Sequence, residues 1–202
     1  MSTTIKYPRL DLGQIEAIVN KLGGMEGVQR FLSGEMVIKA SERNFPIWKT
    51  IRLGTGLKTP DDFRAAIKAA GMYIGDWGND ILGKPAFTVS PEETEVDLVV
   101  VSNADLGFKD GTKLEDTYAR ALELGLELCP NEVGPQLRLQ YTDQPNGEWL
   151  LVAMEPIIDS DGFRGLFGVK RDDGGGRYLN GYNGGPDRVW GADARFVFRR
   201  RK

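Results

Sequence analysis

The spacing of apolar residues changes near Pro135, and this change constrains the fold of the 202-residue chain more than any other feature. Before Pro135, apolar residues recur every three or four positions, as in amphipathic helices, in the stretches DLGQIEAIVNKL, PDDFRAAIKAAG and DGTKLEDTYARALELGLELCP. After it, they alternate with polar residues, as in strands, in QLRLQY, EWLLVAMEPI, GLFGVKR, RYLNGY and RFVFRRR. The sequence therefore predicts an α+β fold, in which a strand/helix N-terminal half is followed by a C-terminal antiparallel β-meander.

Turn residues between the C-terminal strands support this prediction. TDQPNG places an Asn-Gly pair between QLRLQY and EWLLVAMEPI, and DDGGG lies between GLFGVKR and RYLNGY, so both segments favour hairpins. In the N-terminal half, PIWKTIRL and TEVDLVVVSN are predicted to be strands. The second is apolar enough to lie in the middle of a sheet.

The first 44 residues form a short pattern of their own. Asp11 can cap a helix over residues 11–22, and Gly23-Gly24 can end it. The stretch MEGVQRFL predicts a second helix, and EMVIKA predicts a strand after it. We therefore predict a small N-terminal helical appendage at residues 1–44 and a single α+β domain at residues 45–202.

The chain contains no histidine and a single cysteine, Cys129. Catalytic systems that pair serine or cysteine with histidine are therefore excluded, as are an intrachain disulfide and a Cys/His zinc site. Cys129 ends a predicted helix, where the helix dipole disfavours a thiolate, so we interpret it as a structural thiol. A calcium loop starting at Asp159 fails, because Phe163 and Lys170 occupy ligand positions. We predict no metal and no cofactor.

Carboxylates leave one route to catalysis open. Five of them cluster in sequence around the predicted hairpins: Glu132, Glu148, Glu155, Asp159 and Asp161. A glycosidase needs two carboxylates a few ångströms apart, and the linear sequence does not establish such a pair. Glu155 is the most interesting of the five, because it ends an apolar strand and precedes Pro156. Solvated or structural carboxylates are the alternative, so the catalytic residues stay unknown.

The segment RDDGGGRYLNGYNGGPDRVW supplies the candidate binding residues. On a strand with Leu179 facing the core, Tyr178, Asn180 and Tyr182 share the opposite face. The turn NGGPD then brings Trp190 close to the last strand. Aromatic faces beside amide groups suit sugar rings or unstacked bases. We predict a ligand site at Tyr178, Asn180, Tyr182 and Trp190, with scaffolding around two tight turns as the alternative.

Charge is distributed unevenly along the chain. Residues 164–202 carry ten Lys and Arg against four Asp, whereas the whole chain has a net charge of −3. A basic segment on an acidic body is typical of an interaction surface or of a solvated strand face. The overall acidity argues against nucleic acid, whose contacts would come from Arg195, Arg199 and Arg201. No signal peptide or membrane span is evident, so we expect a soluble, cytoplasmic protein.

Three stretches also resemble a known family. GLELCPNEVGPQLRLQY, EWLLVAMEPI with SDG after it, and RYLNGYNGGPDRVWGADARFVF resemble a widespread family of uncharacterised bacterial proteins. The similarity covers roughly residues 45–200 and implies no activity, because none is assigned to the family. More loosely, Trp190 and the ending RFVF are similar to the closing strand of disulfide-free C-type-lectin-like domains, which implies a binding module.

These observations favour a non-enzymatic ligand-binding or interaction module that uses a C-terminal aromatic and basic surface. Its partner is expected to be a small molecule, a glycan or a protein. The alternative is a carboxylate-dependent hydrolase that acts on a glycan or a similar polar polymer. Whether the protein is an enzyme, and its oligomeric state, stay open at this point.

Overall fold

The computed structural model describes residues 10–37 and 45–201. The chain divides into two compact units, Met1–Ser41 and Glu42–Lys202. In the first unit, helix α1 spans Leu12–Lys21 and helix α2 spans Gly24–Leu32. The predicted cap is present, since the Asp11 carboxylate accepts from the Gln14 amide at 2.8 Å. The predicted strand EMVIKA extends into residues 38–44, which lie outside the described residues.

Five helices belong to the second unit: α3 at Pro60–Ala69, α4 at Asp76–Leu82, α5 at Asn103–Leu106, α6 at Leu114–Glu123 and α7 at Val133–Gln140. Local sequence accounts for the start of α3, where Thr59 and Asp62 exchange side-chain and backbone hydrogen bonds. None of the helices in the described part of the chain combines the length and apolar character needed to cross a membrane.

The strands form a large mixed sheet. They are β1 at Lys49–Leu53, β2 at Tyr73–Ile74, β3 at Thr94–Ser102, β4 at Thr112–Lys113, β5 at Leu126–Glu127, β6 at Trp149–Val152, β7 at Ile157–Ile158, β8 at Arg164–Arg171, β9 at Arg177–Asn183, β10 at Val189–Trp190 and β11 at Arg195–Arg200. The main order is β1-β3-β11-β6-β8-β9-β2, while β5 pairs with β11 and β7 with β8. Strands β4 and β10 make a separate two-stranded sheet. The fold is α+β.

The C-terminal antiparallel meander that we predicted is not confirmed, because the sheet is mixed. Strands β6, β8 and β9 are antiparallel neighbours, but β11 lies between β3 and β6 and runs parallel to β6. The reason is the composition of β11, in which Phe196, Val197 and Phe198 are all fully buried. A strand that is apolar on both faces needs an interior position in the sheet, which a terminal position in a meander does not provide.

The predicted strand QLRLQY is wrong, since these residues lie mainly in helix α7. Its alternating polar residues do not face solvent. Gln136 and Arg138 are buried, and both are hydrogen-bonded within the protein. A helix buried nearly all round, with satisfied polar groups, produces the same alternation as a half-exposed strand. The hairpin predicted at TDQPNG is therefore also absent from its place between residues 136 and 149.

Helix α7 also covers the outer edge of the sheet. Among the described residues, β1 pairs with β3 and with no other strand. On the other side, the Gln140 amide donates to the Arg52 carbonyl at 2.8 Å and accepts from the Arg52 backbone N–H at 2.9 Å. The side chain of Gln140 thus binds the N–H and the carbonyl of Arg52, the two backbone groups to which a neighbouring strand would hydrogen-bond.

The core lies between this sheet and the helices. Residues Phe167, Val169 and Leu179, which we call the closed face of β8 and β9, are completely buried. Helix α7 packs on this face so closely that a Cβ on Gly134 would lie 2.6 Å from the Phe167 side chain. The absence of a side chain at Gly134 therefore sets the distance between α7 and the sheet.

Candidate ligand-binding site

The opposite side of the same strands carries the candidate site. Because side chains alternate along a strand, Tyr178, Asn180 and Tyr182 share one side of β9, with Leu179 buried on the other. The strand register places Lys170 of β8 opposite Tyr178, and Trp149 of β6 opposite Lys170. We call these five residues, Trp149, Lys170, Tyr178, Asn180 and Tyr182, the open face.

Three aromatic rings from different strands converge at one end of the open face. The ring centroids are 5.8 Å apart for Trp149 and Tyr182, 6.1 Å for Trp149 and Trp190, and 6.5 Å for Tyr182 and Trp190. They border a cavity of about 530 Å³, which we call the aromatic pocket. Its full lining is Trp77, Trp149, Lys170, Tyr182, Asn183, Arg188 and Trp190.

A glycine makes the contact between Tyr182 and Trp149 possible. Gly168 lies opposite Asn180 in the register of β8 and β9, next to Leu166, the partner of Tyr182. A Cβ on Gly168 would lie 2.6 Å from the Tyr182 ring. The ring thus leans over the Gly168 backbone toward β6, and any larger residue at Gly168 would push it away.

The backbone of Trp190 is held by the buried side-chain amide of Asn103. The side chain of Asn103 is fully buried and donates to the carbonyls of Trp190 and Gly191, at 3.2 and 3.0 Å. Its own carbonyl accepts from the Thr117 hydroxyl at 2.9 Å. The Trp190 ring packs edge-on against Phe196 of β11, with centroids 6.1 Å apart. Asn103 thereby fixes the backbone that presents Trp190 to the pocket.

Trp77 closes the pocket from the side of helix α4. Gly78 and Gly181 bring α4 against the backbone of β9, since a Cβ on either would lie within 3.0 Å of atoms of the other segment. Trp77, next to Gly78, keeps 48% of its surface exposed. An exposed tryptophan on a tightly packed helix is available for contact with a ligand.

The charged residues of the aromatic pocket are both cations. The Arg188 guanidinium lies over the Trp190 ring, 5.0 Å from its centroid, and Lys170 is exposed. No carboxylate belongs to the lining. Within the described residues, neither cation lies in an ion pair. The pocket therefore offers aromatic faces together with unpaired positive charge.

One polar group at the pocket is unsatisfied. The indole N–H of Trp190 is shielded from solvent and has no hydrogen-bond acceptor among the described residues. Trp190 as a whole is only 5% exposed. A buried donor without an acceptor costs about 1–3 kcal/mol unless a water or a ligand accepts from it.

The structure brings three of the four predicted site residues together. Tyr182 and Trp190 line the pocket, and Asn180 hydrogen-bonds to Tyr182, whose pKa is raised by burial and lowered in part by this bond. Tyr178 lies apart and stacks on Tyr73, with centroids 5.1 Å apart. A hydrogen bond to Asp172 raises the pKa of the Tyr178 hydroxyl.

Sequence reasoning missed Trp77, Trp149 and Asn103. The strand containing Trp149 was predicted, and its alternation places Trp149 on the face opposite Leu150, but the sequence does not show that β6 and β9 flank the same strand. Trp77 lies in a short aromatic stretch without a clear period. Asn103 carries no local signal, because its partners are 14, 87 and 88 residues away.

Three of the candidate carboxylates have clear bonding partners. Glu132 accepts from the amides of Gly54 and Ser90, both at 2.8 Å. Glu148 binds Arg195 and the Tyr141 hydroxyl, both at 2.7 Å.

Asp159 accepts from the amides of Asp161 and Phe163, as expected of a turn. Glu155 and Asp161 are exposed. The hydrogen bonds of Glu132, Glu148 and Asp159 join them to other parts of the protein, as in a structural role. The hydrolase hypothesis stays a prediction.

The three arginines considered for nucleic acid are engaged in ion pairs. Arg195 pairs with Glu148 at 2.7 Å, and Arg199 and Arg201 both bind Glu127. Arg199 and Arg201 lower the pKa of Glu127 by hydrogen bonding and by their positive charge. A second cavity of about 530 Å³ lies beside Arg199 and Arg201 but is lined by carboxylates as well as cations.

The chemistry of Cys129 agrees with a buried position. Its thiol is buried, and this burial raises its pKa. Across residues 10–37 and 45–201, no group of three or more Cys, Asp or Glu is arranged to hold a metal ion.

Comparison of the chain with protein-family models, with curated proteins and with solved structures gives no match. The resemblance to a bacterial family therefore stays an expectation from the sequence, and the geometry of the site is the basis for a function.

Proposed function

We propose that the protein is a ligand-binding module, and that its ligand places a ring in the aromatic pocket. The observation that carries this proposal is the convergence of Trp149, Tyr182 and Trp190 on one open cavity. Aromatic rings that face a shared cavity are suited to stack on the ring of a sugar or on a planar heterocycle.

The charge of the lining narrows the class of ligand. Lys170 and Arg188 border the cavity without a carboxylate among the lining residues. A cationic ligand would be repelled, whereas a carboxylate or phosphate on the ligand would gain charge-assisted hydrogen bonds. The proposed ligand is therefore a small molecule or glycan unit with a ring and an acidic group.

The arrangement favours binding over catalysis. No carboxylate and no histidine is present in the lining, so the pocket lacks the usual proton donors and acceptors of hydrolases. The carboxylate-dependent hydrolase of the sequence analysis would need another site, and Glu132, Glu148 and Asp159 are bound to structural partners.

The test is a ligand panel read out by tryptophan fluorescence and thermal shift. Each acidic compound is paired with its neutral analogue: glucuronate with glucose, and adenosine monophosphate with adenosine. We expect the acidic member of at least one pair to change the fluorescence and raise the melting temperature, because a ligand that prefers the folded state stabilises it.

Variants then assign the response to the pocket. Trp149→Ala and Tyr182→Ala should abolish it, because each removes a ring of the cavity. Tyr178→Ala is the matched control, since Tyr178 lies on the same face of the same strand but stacks on Tyr73 outside the pocket. Equal loss in all three variants, or no response from any pair, would overturn the proposal.

A further inference from the structure

Three arginines form a second charged cluster on the closed side of the sheet. Arg138 of α7 is completely buried, and Arg171 and Arg177 are register partners at the ends of β8 and β9. By alternation, Arg171 and Arg177 share a face with Val169 and Leu179, on which α7 packs. We call Arg138, Arg171 and Arg177 the arginine cluster.

The segment after α7 connects two members of the cluster. The Gln144 side chain accepts from Arg138 Nη1 at 2.6 Å, and the Gln144 backbone carbonyl accepts from Arg171 Nη1 at 2.6 Å. Arg138 also donates to the carbonyls of Tyr141 and Lys170, at 2.7 and 3.3 Å. All of these acceptors are neutral, so none balances the positive charge.

No acidic residue of the described chain compensates this charge. None of the three arginines lies within ion-pair distance of a carboxylate there. The carboxylate that follows Arg171, Asp172, binds the Gly176 amide and the Tyr178 hydroxyl instead. Like charges directly opposite each other on neighbouring strands destabilise a sheet, as do buried cations without counter-charges.

The hydrogen bonds of the cluster are also incomplete. The Nε atoms of Arg138, Arg171 and Arg177 are all shielded from solvent and lack acceptors within the described residues. Burial, together with the positive charges of Arg177 and Arg171, lowers the pKa of Arg138 to about 10. Buried donors without a protein acceptor are commonly satisfied by a water or an ion, and here three such donors belong to cations.

We infer that the arginine cluster binds an oxyanion, either free phosphate or the phosphate group of a larger ligand. Guanidinium groups present paired N–H donors that match phosphate oxygens. Arg171 and Arg177 are only partly buried, so the anion can reach the cluster from the tip of the β8–β9 hairpin. This site lies on the face opposite the aromatic pocket and does not depend on the proposed function.

The test measures thermal stability against the concentration of sodium phosphate, with sodium chloride at matched ionic strength as reference. We expect a saturable rise of the melting temperature in phosphate beyond that in chloride. Arg177→Gln should raise the half-maximal phosphate concentration about tenfold or more, because it removes charged hydrogen bonds to the anion. Arg177 is chosen because its side chain bonds to no described residue, so its replacement should leave the fold intact.

Arg164→Gln is the matched control, since it removes an exposed cation from the opposite end of β8 and should leave the phosphate effect unchanged. Methyl phosphate and glucose 6-phosphate distinguish the two sources of the anion. If glucose 6-phosphate acts at lower concentrations than inorganic phosphate and methyl phosphate, and Arg177→Gln weakens its effect, the group belongs to a larger ligand. Equal potency of the three compounds indicates the free anion. A response to phosphate no greater than that to chloride, or one unchanged in Arg177→Gln, would overturn the inference.

Discussion

Strands β8 and β9 have two faces of opposite character. On the closed face, Phe167, Val169 and Leu179 are completely buried beneath α7. On the open face, Tyr178 and Tyr182 are partly exposed, and Lys170, which lies opposite Tyr178 in the register of β8, is exposed. The same hairpin therefore supplies the core with aliphatic and aromatic surface on one side and presents rings to solvent on the other.

This difference separates residues that stabilise the fold from residues that are free to bind. Burial of a large apolar side chain accounts for its presence on the closed face. The rings of the open face gain less from burial, yet the Gly168 backbone and the packing of α4 against β9 fix their surroundings. Residues that are well positioned but incompletely buried are what the proposed ligand site requires.

The largest effect is expected from Phe167→Ala. It removes a completely buried ring and leaves a cavity beneath α7, so the free energy of unfolding should fall by about 3–5 kcal/mol. Urea denaturation measures this loss. Trp190→Ala should behave similarly, because only 5% of this residue is exposed.

Tyr178→Ala is the open-face control for Phe167→Ala and should cost much less, because this ring stacks on Tyr73 and is not part of the buried core. Tyr182→Ala should lie between the two, because its ring is half-buried. If Tyr178 and Phe167 were equally costly to remove, the distinction between the two faces would not hold.

A smaller effect is expected from Asn103→Ala, which removes the amide beneath Trp190. Two backbone carbonyls lose their donor, and the Thr117 hydroxyl keeps only the Lys113 carbonyl as an acceptor, so unfolding should become about 1–3 kcal/mol easier. Because the same bonds position Trp190, the ligand response of the pocket should weaken as well. Loss of stability with an unchanged ligand response would show that the Trp190 backbone does not need the hydrogen bonds from Asn103.

Gly168→Ala tests the open face more selectively. The new methyl group would clash with the Tyr182 ring and with the Leu150 carbonyl, and relief of this clash should cost about 1–3 kcal/mol. The contact of Tyr182 with Trp149 should be lost, which a change in near-ultraviolet circular dichroism would report. Gly174→Ala is a control on the same hairpin, because its nearest neighbour would be the Asp172 carboxylate at 3.4 Å. A spectrum identical to that of the parent protein would contradict the proposed role of Gly168.

The smallest effect is expected from Trp190→Phe. The smaller ring leaves some space, but the substitution also removes a buried donor without an acceptor, so the two effects offset each other. We expect a change within about 1 kcal/mol in urea denaturation, far below that of Trp190→Ala. A loss of several kcal/mol for Trp190→Phe would show that this N–H has an acceptor in solution.

Local signals in the sequence predicted the elements with clear ends and periods. The predicted Asp11 cap of α1 is confirmed, because it depends only on Gln14, three positions away. The alternation on β9 was predicted for the same reason, since Leu179 and its neighbours define the two faces without help from other strands.

Features that depend on distant partners could not be predicted. The buried polar residues of α7 give it the alternating sequence pattern of a strand. They are tolerated in the interior because Gln136 and Arg138 donate to acceptors inside the protein. The position of β11 between β3 and β6 follows from burial on both faces, which alternation alone does not reveal. The aromatic pocket combines residues from α4, β6, β9 and β10, so the sequence predicted Tyr182 and Trp190 but not Trp149.

The hydrogen bonds between Gln140 and Arg52 have a consequence for the behaviour of the protein at high concentration. An open strand edge can recruit the edge of another molecule and start the growth of an intermolecular sheet. At Arg52, a side-chain amide already uses the N–H and the carbonyl that such recruitment needs. The helix that sequence patterns had assigned to a strand thus protects β1 from aggregation, because it satisfies the edge from within the same molecule.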